Sequence, residues 1–412
     1  NATGPVASVV FQLDGKEVSR RPEVPWADDI DFGKEYAPHE LVARAFDEKG
    51  TEIALARQWI NLPRPAAEVE ILLDRDASGK AVAARLVWAS RMGPKPERLS
   101  LTLDGRDVAV DALHQAKLPS YDDSSTHMLT AQVDFAGDVR GRADVVLGGG
   151  SVDETGSELT AVPVRSADGK APSADSLQGR FLRNGRPLRV TAVEHGPAEI
   201  ILVRDTDAGV ELTFRAKGVY GSPTASVFGG DGTGVGDEDR LRVQWPVARQ
   251  VADLDAANVL FESSSVFSGS QASILSLLVS VAYPGESAQP RRFADSVAVA
   301  GLQAASSYSR RAVVLVLGRK SADVSHDTPV SVRRYLERLR VPLYVWSLID
   351  LQKVLAAAWG SYEAITSLRE LRQESQRIRK DVDSQSIVWL SGRYLPQDIV
   401  FVEKGDGLSL VR

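Results

Sequence analysis

Two rhythms of apolar and polar residues divide the chain. In the first, short alternating runs are broken at close intervals by turn residues. Val9, Phe11 and Leu13 take every second position, the period of a strand with one face buried. Asp14-Gly15 ends that run and Asp104-Gly105 ends a similar one; both pairs tolerate positive φ and predict tight hairpin turns. Glu40–Phe46, the turn at Asp47–Gly50 and Thr51–Leu62 predict another hairpin, after which Pro63 and Pro65 stop the strand. In the second rhythm the apolar runs are continuous, at 198–203, 312–317, 341–346 and 386–390, as in strands buried on both faces of a parallel sheet. Helical spacing lies between them. Thr328 and Pro329 open a helix with Val332, Leu336 and Leu339 on one face, and Phe293, Val297, Ala300 and Ala304 line another.

The first rhythm repeats. Phe11–Val18 returns at Leu101–Val108, and His39–Gly50 returns loosely at His127–Asp138, which predicts a duplicated unit of about 90 residues. Short strands with frequent turns predict two-sheet sandwiches. Asp14–Val18, Pro25-Trp26 and Pro38–Gly50 together resemble the bacterial immunoglobulin-like modules of secreted and cell-surface proteins. The reading places one sandwich at 1–65, a second at 66–165, a polar linker at 166–178 and an α/β unit at 179–412.

Strand, helix, strand with short connections predicts right-handed crossovers and a doubly wound sheet. Arg292–Leu348 is similar to the von Willebrand factor A-related domains of bacterial exported proteins, and Pro187–Asp205 resembles the approach to their first strand. The likeness extends over about Gly179–Pro396. In that family an Asp-x-Ser-x-Ser end to the first strand, with a later Thr and Asp, holds a divalent cation through oxygen ligands. Here the matching stretch reads Asp205-Thr206-Asp207-Ala208-Gly209, and Gly318-Arg319-Lys320 stands where the later Asp belongs. No metal is therefore expected. If one binds, Asp205 and Asp207 are the candidate ligands, with the Gly-rich loop carrying Asp231, Asp237, Glu238 and Asp239 as a weaker set.

Catalytic patterns are absent: neither Gly-x-Ser-x-Gly nor His-Glu-x-x-His occurs. The five histidines, His39, His114, His127, His195 and His326, are scattered, and the matching places of His39 and His127 in the repeats predict a structural role. The serine-rich 263–273 stretch is expected to lead into a helix at Ile274–Ala282. Ser361–Lys380 predicts an amphipathic helix with Ile365, Leu368 and Leu371 inward. Trp26, Trp359 and Trp389 are candidate interface anchors.

Composition narrows the class of partner. The net charge of −6 argues against nucleic acid, and no apolar run approaches the roughly 18 residues of a membrane span. The absence of cysteine excludes disulfides and thiolate metal sites. Asn1-Ala2-Thr3 has the form of a glycosylation acceptor, and the first residues read as a processed amino terminus. The resemblances imply a non-catalytic exported protein without cofactors, periplasmic or extracellular and peripheral to the membrane. They imply a structural subunit that binds other protein subunits, an accessory scaffold on the periplasmic face of a large membrane complex such as a bacterial photosynthetic reaction centre. The alternative is a metal-dependent adhesion protein that takes a ligand carboxylate at Asp205 and Asp207.

Overall fold

Two four-stranded antiparallel sheets with the same strand order carry the duplication. The computed structural model describes residues 6–50, 52–62, 67–76, 78–90, 95–135, 139–148, 159–206, 233–248, 261–285, 290–318, 322–348 and 353–412. In the first unit β1 (Ser8–Leu13), β2 (Lys16–Arg21), β3 (His39–Phe46) and β4 (Glu52–Ile60) are ordered β2-β1-β3-β4. The second unit contains β5 (Ala67–Arg75), β6 (Ala81–Ser90), β7 (Arg98–Leu103), β8 (Arg106–Asp107), β9 (Gln115–Lys117), β10 (Thr126–Phe135) and β11 (Val139–Gly148). There the equivalent sheet is β8-β7-β10-β11, and a second sheet, β5-β6-β9, lies against it. Ala84 and Leu86 meet Leu101, Leu129 and Ala131 in a dry core between the two. The second unit is thus a sandwich. The first departs from expectation: among its described residues it is a single sheet.

The hairpin turns show why the repeat is visible in sequence. Asp14 and Asp104 adopt φ of 50° and 52°, and the following glycines 78° and 77°, the primed-turn conformation that Asp-Gly accepts. Each aspartate then reaches the neighbouring strand. Asp14 Oδ2 meets His39 Nδ1 at 2.8 Å and its Oδ1 accepts from Glu40 N at 2.8 Å. Asp104 repeats this with His127 Nδ1 at 2.6 Å and Met128 N at 2.8 Å. The expected structural role of both histidines is this clip.

Beyond the sandwich, β12 (Leu159–Ser166) leaves the repeats. Its partners are β23 (Gln385–Ser391) and β25 (Leu408–Leu410), and the sheet order is β15-β23-β12-β25, with β15 at Val190–Glu194. Two findings correct the sequence reading. The 386–390 run is an antiparallel strand outside the parallel sheet, and the stretch expected as a linker contains a short helix, α1 (Ala174–Leu177), whose Leu177 is fully buried. A continuous apolar run reports burial on both faces, not strand direction. The face of β23 that carries Val388 and Leu390 packs on Leu177, Phe181 and Ile399, and the other face meets the second unit, where Arg142 lies 4.9 Å from the Trp389 ring. β13 (Phe181–Arg183), β14 (Arg186–Pro187) and β24 (Val400–Phe401) form a small sheet beside this core.

The remaining strands are β16 (Ala198–Arg204), β17 (Arg240–Ala248), β18 (Phe261–Ser263), β19 (Phe267–Ser268), β20 (Arg310–Leu317), β21 (Leu343–Ser347) and β22 (Glu363–Ala364). They form one sheet whose central neighbours β17, β16, β20, β21 and β22 run parallel. Helices cover both faces. Ile201, Val203, Val313 and Leu315 pack under α3 (Phe293–Ser306) and α4 (Pro329–Arg338). Ile200, Leu202, Val314 and Val316 pack under α2 (Ile274–Ser280) and α6 (Leu368–Asp383). A short α5 (Lys353–Ala357) follows β21. α6 begins later than predicted because Ser367 and Glu370 form a capping box; Leu371, Ile378 and Val382 make its inner stripe, and the Leu368 side chain lies outside the described set. The described residues are mostly β, with several antiparallel sheets and few helices.

The clip sets a pH dependence for the second unit. The hydrogen bond to Asp104 raises the His127 pKa against the opposing effect of burial. Burial pushes Asp104 up, but the bonds from His127 and Met128 N outweigh it and leave the carboxyl below its usual value. The histidine contribution is therefore complete below its unfolded pKa and lost as pH rises through the raised folded value. The aspartate contribution is complete above its unfolded pKa and lost as pH falls. The protection factor of the Met128 amide, its exchange rate corrected for the intrinsic pH dependence, should be greatest between about pH 4.5 and 6. Asp104→Ala should cost about 1–2 kcal/mol by removing the turn's acceptor, while Asp104→Asn should retain protection but flatten its decline above pH 6.

Candidate functional site

The carboxyl end of a parallel strand is where the fold presents loop side chains to a ligand, and Asp205 stands there, one residue beyond β16. Its backbone is pinned by a bond from Asp205 N to Val316 O at 3.1 Å, and its side chain is buried. Arg291, just before α3, places Nε 3.3 Å from Asp205 Oδ1, with the guanidinium mostly buried as well. The backbone of Arg291 is held by a bridge to Asp323 and by Val324 N donating to its carbonyl at 2.8 Å. A fixed cation therefore faces the carboxylate that the metal reading uses.

Gly318 closes the other side. A Cβ built there would lie 2.8 Å from Asp205 Oδ2, so the glycine is what lets β20 end against this carboxylate. A second acidic side chain at that position would meet both steric overlap and like-charge repulsion. Asp207, Gly209, Arg319 and Lys320 lie outside the described residues, as does Asp231. Among the described residues no three His, Asp or Glu side chains are grouped to hold a metal ion.

Of the weaker acidic set, Asp237, Glu238 and Asp239 are described, and Asp239 lies at the opposite end of β16 from Asp205. Asp239 lies at the start of β17 and is buried; its Oδ1 accepts from Ala198 N at 2.8 Å and from Arg310 Nη2 at 3.2 Å, and its Oδ2 from Gly236 N at 2.9 Å. Arg310 also bonds Gly196 O, Val382 O and Asp383. Asp239 is a brace between β16, β17 and β20, while Asp237 and Glu238 are exposed beside it. Sequence reasoning missed Arg291 and Arg310 as partners. Opposite charges near strand ends were the available signal, but nothing local pairs residues 86 and 71 positions apart.

The other candidates fall in separate places. His114 packs its ring 4.4 Å from Trp88, His195 is exposed, and His326 is exposed beside Arg292 and Asp295. Ser273 caps α2, as expected of the serine-rich stretch. Trp359 and Trp389 are buried, which removes them as surface anchors; Trp26 is half-buried. A groove of about 830 Å³ runs between β21, α6 and the end of β12. Within it Arg165 pairs with Asp381 and Arg377 with Glu363. Burial and the neighbouring Asp381 push the Tyr344 phenol up, so it remains protonated and donates to Asp381.

No protein-family profile matches this chain, and no curated protein does. Among solved structures, the chain is similar over 37% of its length to 85% of the fibronectin(III)-like modules of Clostridium thermocellum CbhA, at 14% identity and a TM-score of 0.17. Proximal thread matrix protein 1 from the mussel byssus matches 46% of this chain and 49% of its own, at 12% identity and a TM-score of 0.26. The human COPII-coat protein Sec24c matches 63% of this chain and 44% of its own, at 9% identity and a TM-score of 0.25.

Two substitutions check the geometry. Gly318→Asp, which restores the acidic residue of the resembled family, should destabilise the α/β unit by about 2–4 kcal/mol in urea unfolding, with no recovery on adding Mg²⁺. Asp239→Ala, which leaves Arg310 buried beside a lost partner, should cost about 3–5 kcal/mol, and Ca²⁺ should not raise the melting temperature of the unaltered chain.

Proposed function

We propose that the protein is a non-catalytic structural subunit that binds other proteins through its surfaces. The pairing of Asp205 with Arg291 carries this reading. A guanidinium already neutralises the carboxylate at the strand end, so a divalent ion entering there must displace a fixed charge in a buried setting. The scattered histidines support the same conclusion, because among the described residues they are not grouped with a nucleophile and a second acid or base.

On this reading the α/β unit is a von Willebrand factor A-like domain with a degenerate cation site, and the repeats are immunoglobulin-like spacers. Such a protein would be exported and peripheral to the membrane, an accessory scaffold on the periplasmic face of a large membrane complex, with a photosynthetic reaction centre as one example. No helix among the described residues is long and apolar enough to cross a membrane. Calorimetry with Mg²⁺, Mn²⁺ and Ca²⁺ tests the proposal. No saturable heat is expected up to millimolar ion. Binding abolished by Asp205→Ala would replace it with the metal-dependent adhesion reading.

A further inference from the structure

The edge of the parallel sheet at β21 is short of backbone partners. β20 runs beside the whole of Leu343–Ser347, but β22 pairs with Trp346 and Ser347 alone. The N–H and C=O of a residue in a parallel strand point the same way, and the direction alternates along the chain. Pro342 O accepts from Val313 N and Leu348 N donates to Leu317 O, so the even-numbered residues of β21 face β20. Leu343 and Val345 therefore turn their backbone groups outward, as Ser347 does where its carbonyl accepts from Ile365 N at 2.8 Å. The register of β22 leaves the N–H and carbonyl of Leu343 and the N–H of Val345 without a strand partner among the described residues. Val345 is 3% exposed and Leu343 half-buried, so a partner strand would supply what little water can reach.

The 830 Å³ groove follows this edge. Pro342, Leu343, Tyr344, Val345 and Trp346 all line it. Side chains alternate across a strand, so a groove over one face meets every second residue, and one that meets five in succession runs along the edge. Its other walls are the Ser166–Gly169 turn after β12 and the last turns of α6. The chain carries a net charge of −6, yet six of the side chains lining the groove are basic and four acidic. Arg165, Arg377 and Arg379 have Asp381, Glu363 and Asp383 as partners. Lys380, exposed in the last turn of α6, pairs with no acidic side chain among the described residues.

We infer that the groove takes an extended acidic segment of a partner protein, which adds as a strand to the open edge of β21. The backbone of that segment accepts from Leu343 N and Val345 N and donates to Leu343 O. Its acidic side chains lie against Lys380 and the basic side of α6, where the groove has charge to spare. A concave channel beside a strand edge suits a chain segment better than a membrane surface, which meets a flat or convex face. This site deepens the subunit reading and rests on it, since it names the surface and the kind of segment by which a partner is held.

The probe is an alternating Glu-Val peptide of about eight residues, added to the full chain. Saturable binding weakened by salt is expected. The protection factors of the Leu343 and Val345 amides should rise at least about tenfold, and that of Tyr344, which faces β20, far less. An alternating Lys-Val peptide should not bind. Leu343→Pro, which removes a donor at the first residue of the strand, should abolish binding, and Leu343→Ala should keep it. Lys380→Glu, at an exposed position, should weaken binding at least about threefold with the melting temperature unchanged, and so decides the matter even where Leu343→Pro unfolds the sheet. No saturable binding, or protection spread evenly along β21, would overturn the proposal. So would equal binding of the Lys-Val peptide, or protection by vesicles of anionic phospholipid in place of peptide, which would make a membrane the occupant. Protection that rises with protein concentration alone would make it a second copy and overturn the proposal too. The ion calorimetry reads Asp205, beyond the carboxyl end of β16, so the two readings fail separately.

Discussion

A sheet covered on both faces has no place for a lone charge, and this constraint organises the C-terminal half. Glu199 in β16 is met by Arg242 and Arg240 from the parallel neighbour. Asp205 at one end of the same strand is met by Arg291, and Asp239 at the other end by Arg310. Arg311 meets carbonyl oxygen instead, donating to Ala305 O at 3.1 Å, and burial pushes its guanidinium down to about 10. Each pair links segments distant in sequence. The charges that resemble a binding site are therefore the same charges that lock the layers together.

This changes how a strand-end aspartate is understood. The carboxylate needs compensation whether or not the protein binds an ion, and a metal or a guanidinium can provide it. A metal leaves coordination positions open to a partner, whereas Arg291, held by its own backbone bonds to the 323–324 segment, fills its side of the pocket. On the proposed reading recognition moves outward to the molecular surface, where shape and apolar area replace a bridging ion.

The legible parts of the sequence were those with local causes. Asp14-Gly15 and Asp104-Gly105 announce their turns because few residues adopt positive φ, and the Asp–His clips follow from the same offset. Thr328 and Pro329 announce α4, and the 312–317 run announces β20. Direction and partnership were not legible. The 386–390 run has the composition of a parallel strand, yet pairs antiparallel with β12. β17 escaped notice because Arg240, Arg242 and Gln244 alternate with apolar residues, and their neutralising partners lie in other segments. Asp205 could be singled out as the residue after an apolar run, but its environment depends on Arg291, brought near only by tertiary packing. The single-sheet first unit was equally hidden, since its apolar alternation matches that of a covered sheet.

The pairing of β12 with β23 joins Leu159 to Ser391 and Arg165 to Gln385, and the whole parallel sheet is threaded between the two strands. The sandwich at 67–148, by contrast, closes through neighbours in sequence. A nascent chain can thus complete the sandwich while translation continues, but the antiparallel sheet built on β12 must wait until residues 385–410 have emerged from the ribosome. Until then Val162 and Val164 have no strand beside them, so the arrival of β23 and β25 is the step that commits β12 to its place.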